Sequence, residues 1–248
     1  MKTIKTLAAF AAVCSLVFAS HVWAEGNRYG QPRMYHSEMS VAQAYLAMEH
    51  SRGWNNSESR GQPKPVLVDV RTLREFAAGH PRDAYNIPFP NIYVRDDQDP
   101  AVFYWEVYNL VNGRLDTPIM LLCRTGNRSI RAGNILADPL NLDGDDARVP
   151  VYGGLPFTNV RNIWEGFVGL HLYEFSGGVP TAVRLDLNND GEINADTADV
   201  FAEVADKNPD KDGWRNFAGL PWDTQIRRPF AYLRDPGLYQ SLNLTPVQ

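Results

Sequence analysis

Cysteine is scarce in this sequence: among 248 residues there are only Cys14 and Cys123. Cys14 falls in an N-terminal segment that we expect to be removed, so the mature chain would keep Cys123 alone and could form no intrachain disulfide. An exported chain with one remaining thiol indicates either an intermolecular pair or a reactive sulfur. A buried, inert cysteine is the third interpretation, since cysteine is among the most buried residue types.

Long hydrophobic runs are also missing. The apolar stretch at residues 7–18 has 12 residues, whereas a membrane-spanning helix needs about 20. Lys2 and Lys5 precede this stretch, and the small residue Ala24 ends the segment, which is the order of a secretory signal peptide. We therefore predict a signal peptide over residues 1–24, cleavage after Ala24, no stable membrane insertion afterwards, and a periplasmic or secreted mature protein.

An excess of positive charge is missing too. Lysine and arginine together number 24 against 29 aspartates and glutamates, which gives a formal net charge of −5. An acidic chain is poorly suited to binding nucleic acid, so we expect no nucleic-acid partner. Hydrophobic residues make up 44% of the sequence, which suffices for a sizeable core, and the length fits one large domain or a domain with an insertion.

Short apolar runs alternate with helix-like segments through the first two thirds of the chain. Buried strands are predicted at PVLVDVR and PIMLLC, and a third around VPVYG at residues 149–153. Helices are predicted at SEMSVAQAYLAMEH, TLREFAAGH, AVFYWEVYNLV and RSIRAGNILAD, with Ser37 or Ser40 capping the first and Thr72 the second. Strands that alternate with helices favour an α/β fold, in which helices flank a parallel sheet on both faces.

Cys123 ends the predicted strand PIMLLC, and three arginines, Arg124, Arg128 and Arg131, follow within eight positions. Ligands of parallel sheets bind at the carboxyl ends of strands. The backbone N–H groups of residues 124–129, the N-terminus of the next helix and the arginine charges would all favour a thiolate and attract an anion. The alternative, a cysteine that merely ends a core strand beside solvated arginines, stays open at this point.

Four blocks of the sequence resemble the rhodanese-like family, in the order in which that family carries them. They are PVLVDVRTLREFAAGH, NIPF, PIMLLCRTGNRS and DGWRNFAGLPW. The resemblance covers roughly residues 37–224. It implies a parallel α/β domain whose cysteine takes up a sulfane sulfur as a persulfide and passes it to a thiophilic acceptor.

The resemblance also implies the role of each residue around the cysteine. Cys123 would be the nucleophile, and the loop around the bound sulfur would be formed by Arg124, Thr125, Gly126, Asn127 and Arg128. Arg128 would face a small anionic sulfur donor, and catalysis would require no cofactor. Related phosphatases use a longer loop between cysteine and arginine than the four residues found here, so phosphatase activity is the minor interpretation.

Residues 167–208 interrupt the family pattern as a loop-rich insertion, and residues 225–248 would form a C-terminal tail. Within the insertion, DLNNDGEINADT is similar to an EF-hand calcium loop. Its candidate calcium ligands are Asp186, Asn188, Asp190, Glu192 and Asp196. Thr197 occupies the position of the usual bidentate glutamate, and Asp/Asn/Gly runs are also common in turns, so a structural calcium ion and an ordinary turn both stay open.

Together these features predict an exported sulfurtransferase of the thiosulfate sulfurtransferase type. It would move a sulfane sulfur from thiosulfate or a persulfide donor through a persulfide on Cys123. The alternative is a calcium-stabilised binding or sulfur-delivery module that acts with a protein sulfur acceptor. An intact cysteine in a complete short loop favours the enzyme, whereas the insertions favour the partner-dependent module.

Overall fold

The structure is a computed structural model that describes residues 29–52, 58–59, 61–91, 94–143, 147–169, 172–176, 179–183 and 213–227. The predicted signal peptide and the EF-hand-like loop both lie outside the described residues. No helix within these ranges is long and apolar enough to cross a membrane.

A parallel sheet forms the centre of the fold. The strands are β1 Ser37–Met39, β2 Glu58–Ser59, β3 Gln62–Pro63, β4 Val66–Asp69, β5 His80–Pro81, β6 Tyr85–Asn86, β7 Ile119–Leu122, β8 Val160–Ile163, β9 Leu172–Ser176, β10 Val179–Val183 and β11 Trp222–Asp223. Five of them form one sheet in the order β1–β8–β7–β4–β6, and every neighbouring pair is parallel. The predicted parallel sheet is therefore confirmed, with β7 as its central strand.

Two of the four helices in the described part of the chain begin at side-chain caps. The four helices are α1 Val41–Ser51, α2 Leu73–Ala77, α3 Asp99–Leu110 and α4 Arg128–Ala137. Ser40 and Thr72 each form a capping box with the Gln or Glu three residues later, at Gln43 and Glu75, which satisfies backbone donors that the helix itself leaves free. Of the two serines proposed as caps, Ser40 is the cap, because Ser37 begins β1.

Helices cover both faces of the sheet, as predicted. Successive residues of a strand point to opposite faces, so Leu121 joins a core cluster with Phe103 of α3 and Ile130 of α4. On the other face, Leu122 joins a second cluster with Ala44 of α1. The side chains of β7 are buried along its whole length, as the continuous apolar sequence of the strand indicated.

One prediction about the chain after α4 is wrong. Residues 149–153 form no strand: Pro150 has no N–H to donate, Val149 and Tyr152 are exposed, and Val151 donates its N–H to Pro139 rather than to a strand. The strand that follows α4 is β8, which begins at Val160, seven residues after Gly153. Within the described part of the predicted insertion, β9 and β10 pair as an antiparallel hairpin.

The closing block of the sequence packs against the domain that contains the parallel sheet. A π-helical turn, Gly213–Phe217, places Trp214 in the same core cluster as α1, and its backbone N–H donates to Gly166 O at 3.0 Å. β11 then pairs antiparallel with β5. The described start of the predicted tail, residues 225–227, also packs on this domain, since Ile226 is buried.

Candidate active site

Cys123 lies directly after the central strand β7, at the carboxyl edge of the sheet. Its exposed fraction is 1%. Its Sγ accepts a hydrogen bond from the backbone N–H of Gly126 at 3.1 Å and another from the hydroxyl of Ser129 at 3.3 Å. The sulfur therefore lies inside the loop that joins β7 to α4, with two donors directed at it.

The carbonyl groups of the cysteine loop are all held from outside. Cys123 O accepts from Phe167 N at 2.9 Å, Arg124 O from Val168 N at 3.0 Å, Thr125 O from Tyr29 Oη at 2.6 Å, Gly126 O from Asn162 Nδ2 at 3.2 Å and Asn127 O from Ile130 N at 3.1 Å. In a trans peptide the C=O and N–H groups point in opposite directions. Anchoring the Thr125 carbonyl on the outside therefore turns the Gly126 N–H towards the sulfur, and the other anchored carbonyls favour the same inward direction for the N–H groups that follow them.

Gly126 is required by the tight course of this loop. Its φ is +89°, in the region that side chains disfavour. A Cβ atom at this position would lie 2.1 Å from the carbonyl oxygen of Trp164. No other residue fits there unless the loop or the segment after β8 moves.

Arg128 is paired with a carboxylate. Its two terminal nitrogens donate to the carboxylate oxygens of Glu75 in α2, at 2.8 and 2.5 Å. Burial alone would raise the pKa of Glu75, but the hydrogen bonds and charge of Arg128 lower it to about 2. Burial likewise opposes the charge of Arg128, and Glu75 more than compensates, so the pKa of Arg128 is raised.

The three arginines that the sequence groups around the cysteine therefore differ in their surroundings. Arg131 is exposed on α4, and its Cζ lies 5.7 Å from the ring centroid of Phe89. Arg124 is half-buried in the loop itself. With Arg128 neutralised by Glu75, the backbone N–H groups contribute more of the positive potential inside the loop than the arginine pattern suggested. The assignment of Arg128 to the anionic donor stays a prediction.

The remaining loop residues named from the sequence are held through other groups. Thr125 is bound through its carbonyl, and the side-chain oxygen of Asn127 accepts a hydrogen bond from Gln31 Nε2 at 3.0 Å. Beside the loop, Arg71 Nη2 lies 2.6 Å from Asp69 Oδ2. This buried ion pair fixes the end of β4. Their role is structural, because Arg71 also donates to the carbonyl of Gly79.

Sequence reasoning missed three residues that touch or hold the loop. The sequence assigned no role to Ser129, yet its hydroxyl donates to Sγ at 3.3 Å. Tyr29 and Asn162 are far away in the sequence, and no short motif contains them. Asn162 is itself held by Glu38 of β1, at 2.8 Å between Nδ2 and Oε2.

The predicted calcium ligands cannot be placed, since Asp186 and Asp196 and the candidates between them lie outside the described residues. Among the described residues, no group of three histidine, cysteine, aspartate or glutamate side chains is arranged to hold a metal ion. The structural calcium ion stays a prediction.

A cysteine within a short ring of inward N–H groups, at the end of the central strand of a parallel α/β sheet, defines a site for a sulfur nucleophile. The family model of the rhodanese-like domain matches the chain over residues 54–172, so this part of the chain is a rhodanese-like domain. Such a domain indicates a sulfur-related role of the sulfurtransferase type. None of the curated proteins compared with the chain matches it.

Proposed function

We propose that this protein is an exported sulfurtransferase that carries a sulfane sulfur as a persulfide on Cys123. The observation that carries the proposal is the pair of hydrogen bonds to Sγ, from the Gly126 N–H at 3.1 Å and the Ser129 hydroxyl at 3.3 Å. Donors in this position favour the thiolate, which is the nucleophilic form of cysteine. Export rests on the predicted signal peptide.

In the first step, the Cys123 thiolate attacks the outer sulfur of thiosulfate or of a persulfide donor. A new S–S bond forms on Sγ while the S–S bond of the donor breaks, and sulfite or a thiolate leaves with the electron pair. The enzyme then holds a persulfide. The inward N–H groups stabilise its negative outer sulfur, because they are already oriented before the charge arrives.

In the second step, a thiophilic acceptor such as cyanide attacks the outer sulfur. The acceptor gains that sulfur, and the bonding electrons return to Sγ, which becomes a thiolate again. A covalent intermediate of this kind divides the transfer into two simpler displacements. No cofactor takes part. A calcium ion in the EF-hand-like loop would stabilise the fold and stay outside the chemistry.

The size of the loop supports sulfur transfer over phosphatase chemistry. Four residues separate Cys123 from Arg128, and the following residue, Ser129, directs its hydroxyl at Sγ. The longer phosphatase loop would carry its arginine one position later, where this chain has Ser129. One additional sulfur atom is a better match for such a small ring.

The test is the intact mass of the mature chain, reduced and then incubated with thiosulfate, beside Cys123→Ser. The proposal expects wild type to gain one sulfur atom, Cys123→Ser to gain none, and cyanide to reverse the gain. Equal gain in both proteins would place the sulfur elsewhere. If neither thiosulfate nor a small-molecule persulfide adds sulfur to wild type, the proposal is wrong.

A second candidate is a sulfur-delivery module that docks on a protein sulfur acceptor, and one surface favours it. The connection between α4 and β8 exposes large apolar side chains at Leu140, Leu142, Val149, Tyr152 and Leu155. The sequence beside them, NLDGDDAR, is acidic, which suits a partner with an apolar centre and a basic rim. The patch follows the end of α4, about 15 Å along the helix from the cysteine loop, so a partner bound there would leave the sulfur uncovered.

Steady-state turnover separates the two candidates. The enzyme should form thiocyanate from thiosulfate and cyanide at a constant rate without another protein. The delivery module should load one sulfur and release it slowly until a protein acceptor is present. Leu142→Glu would weaken only the transfer of sulfur to a protein acceptor. Leu142 is 80% exposed and contributes little to the core, so the fold and the turnover with cyanide should stay unchanged.

A further inference from the structure

A segment that precedes the matched family domain lies directly on the cysteine loop. We call residues 29–36 the N-terminal arm. Its contacts with the loop and α4 are Tyr29 Oη to Thr125 O at 2.6 Å, Gln31 Nε2 to Asn127 Oδ1 at 3.0 Å, Asn134 Nδ2 to Pro32 O at 3.0 Å and Met34 N to Asn134 Oδ1 at 2.9 Å. The family match begins at residue 54, so the arm lies outside the matched range.

The contact made by Tyr29 differs from the others because of the group it binds. The carbonyl of Thr125 and the N–H of Gly126 belong to the same peptide unit. Tyr29 donates to the carbonyl end at 2.6 Å, and the N–H end donates to Cys123 Sγ at 3.1 Å. One planar unit therefore joins the phenol to the sulfur.

We propose that Tyr29 is a positioning residue for Cys123, which acts through the Thr125–Gly126 peptide unit. Its hydroxyl keeps the carbonyl on the outside of the loop, and this keeps the N–H directed at the sulfur. Donation to a carbonyl also polarises the amide, which strengthens the hydrogen bond that its N–H donates. The consequence for sulfur transfer rests on the proposed function; the effect on the thiolate does not.

The peptide unit needs an external anchor because of Gly126. Glycine crosses between φ regions at little cost, and Gly126 has φ +89°, so its own conformation does little to prevent rotation of the unit. A rotation would move the N–H away from Sγ and direct a carbonyl oxygen at the thiolate. The hydroxyl of Tyr29 opposes that rotation, and the ring of Tyr29 packs against the core cluster that contains Cys123.

The need to hold the arm in place does not by itself explain why Tyr29 binds the carbonyl of Thr125. Gln31 and the paired bonds of Asn134 with Pro32 and Met34 also fix the arm, and none of these reaches the Thr125–Gly126 unit. Removing the phenol oxygen should therefore change the sulfur while leaving the arm in place. Removing the Gln31 side chain takes away its contact with Asn127, while Tyr29 and the two bonds of Asn134 keep the arm on the loop.

The experiment measures alkylation of Cys123 by iodoacetamide as a function of pH, on the mature chain from Glu25 onwards, by intact mass. For Tyr29→Phe, the profile should move to higher pH, and the rate at pH 7 should fall about three- to tenfold, the effect of one hydrogen bond. Gln31→Ala should keep the wild-type profile. A wild-type profile in Tyr29→Phe would overturn the proposal.

Tyr104→Phe is the matched control. Its hydroxyl also donates to a backbone carbonyl, that of Leu155 at 2.7 Å, in the connection after α4. This variant should lose stability in urea and keep the wild-type alkylation profile. If Tyr104→Phe moves the profile as far as Tyr29→Phe does, the effect is a general loss of packing and the proposal is wrong.

Alkylation needs no sulfur donor, so it is independent of the proposed function. A shifted profile in Tyr29→Phe supports the positioning role even in a protein that thiosulfate fails to load. Conversely, normal loading of wild type together with an unshifted Tyr29→Phe profile retains the sulfurtransferase and refutes the positioning role.

Discussion

The pair of Glu75 and Arg128 connects α2 to the cysteine loop, and Glu75→Gln tests how much it stabilises the domain. Glutamine keeps the size of the side chain and can keep the capping box with Thr72, which accepts Glu or Gln at that position. What it removes is the negative charge opposite Arg128. The side chains are 14% and 30% exposed, so solvent screens the pair only in part.

The magnitude follows from the pKa of Glu75. Burial raises this pKa, but Arg128, with smaller effects of the Arg71 charge and the Thr72 N–H, lowers it from 4.5 to about 2. The net difference corresponds to about 3 kcal/mol of stability at pH 7. Because the folded pKa is the lower one, the contribution is present above pH 4.5 and is lost as the pH falls towards 2. For a domain of this size, the loss at pH 7 would lower Tm by roughly 6–12 °C.

The assay is urea unfolding of wild type and Glu75→Gln at pH 7 and at pH 3.5. We expect a difference of about 3 kcal/mol at pH 7 that shrinks by about 1 kcal/mol at pH 3.5, where Glu75 is mostly protonated in the unfolded state and still ionised in the folded state. The double variant Glu75→Gln/Arg128→Met should cost less than the sum of the single variants, since it leaves no unpaired charge. A loss below about 1 kcal/mol that is the same at both pH values would refute the reasoning.

Three further predictions concern the loop and its surroundings. Gly126→Ala should abolish persulfide formation and lower Tm, because its Cβ would lie 2.1 Å from Trp164 O; a circular-dichroism melt and intact mass check this. Ser129→Ala should slow sulfur loading by about 10- to 100-fold, the effect of a hydrogen bond to a charged group, whereas Ser51→Ala, which removes another buried hydroxyl, should load normally. Asp99→Asn should raise stability in urea at pH 7 and leave it unchanged at pH 4. Burial raises the pKa of Asp99 to about 6, so the ionised carboxylate lowers the stability of the folded protein as the pH rises. An equal effect of the substitution at pH 7 and pH 4 would contradict this.

Local signals in the sequence sufficed for most of the fold that surrounds the site. β4 and β7 are short, continuous apolar runs, which is how strands buried on both faces are recognised. Ser40 and Thr72 begin α1 and α2 through capping boxes that are visible as letters three residues apart. The cysteine at the end of the central strand followed from the same pattern, since ligand sites in parallel sheets lie at that edge.

The errors arose where a contact distant in sequence decides the structure. VPVYG has the composition of a strand, but Pro150 weakens its hydrogen bonding and the neighbouring position in the sheet is taken by β8. β1 was read as the first turn of α1, because pairing with β8 over 120 residues away leaves no local trace. Tyr29 and Asn162 were missed for the same reason: each is a polar residue whose importance comes only from the carbonyl it reaches in the folded chain.

The contacts around the cysteine also explain how so short a loop can hold its shape. A ring of inward N–H groups is unfavourable by itself, since parallel dipoles repel and the outward carbonyls need donors. Here the donors come from four parts of the chain: Tyr29 of the N-terminal arm, Asn162 of β8, the backbone at residues 167–168 after β8, and Ile130 of α4. The loop is thus formed by the domain as a whole, and its chemistry should be tuned by residues outside the short motif that identifies it.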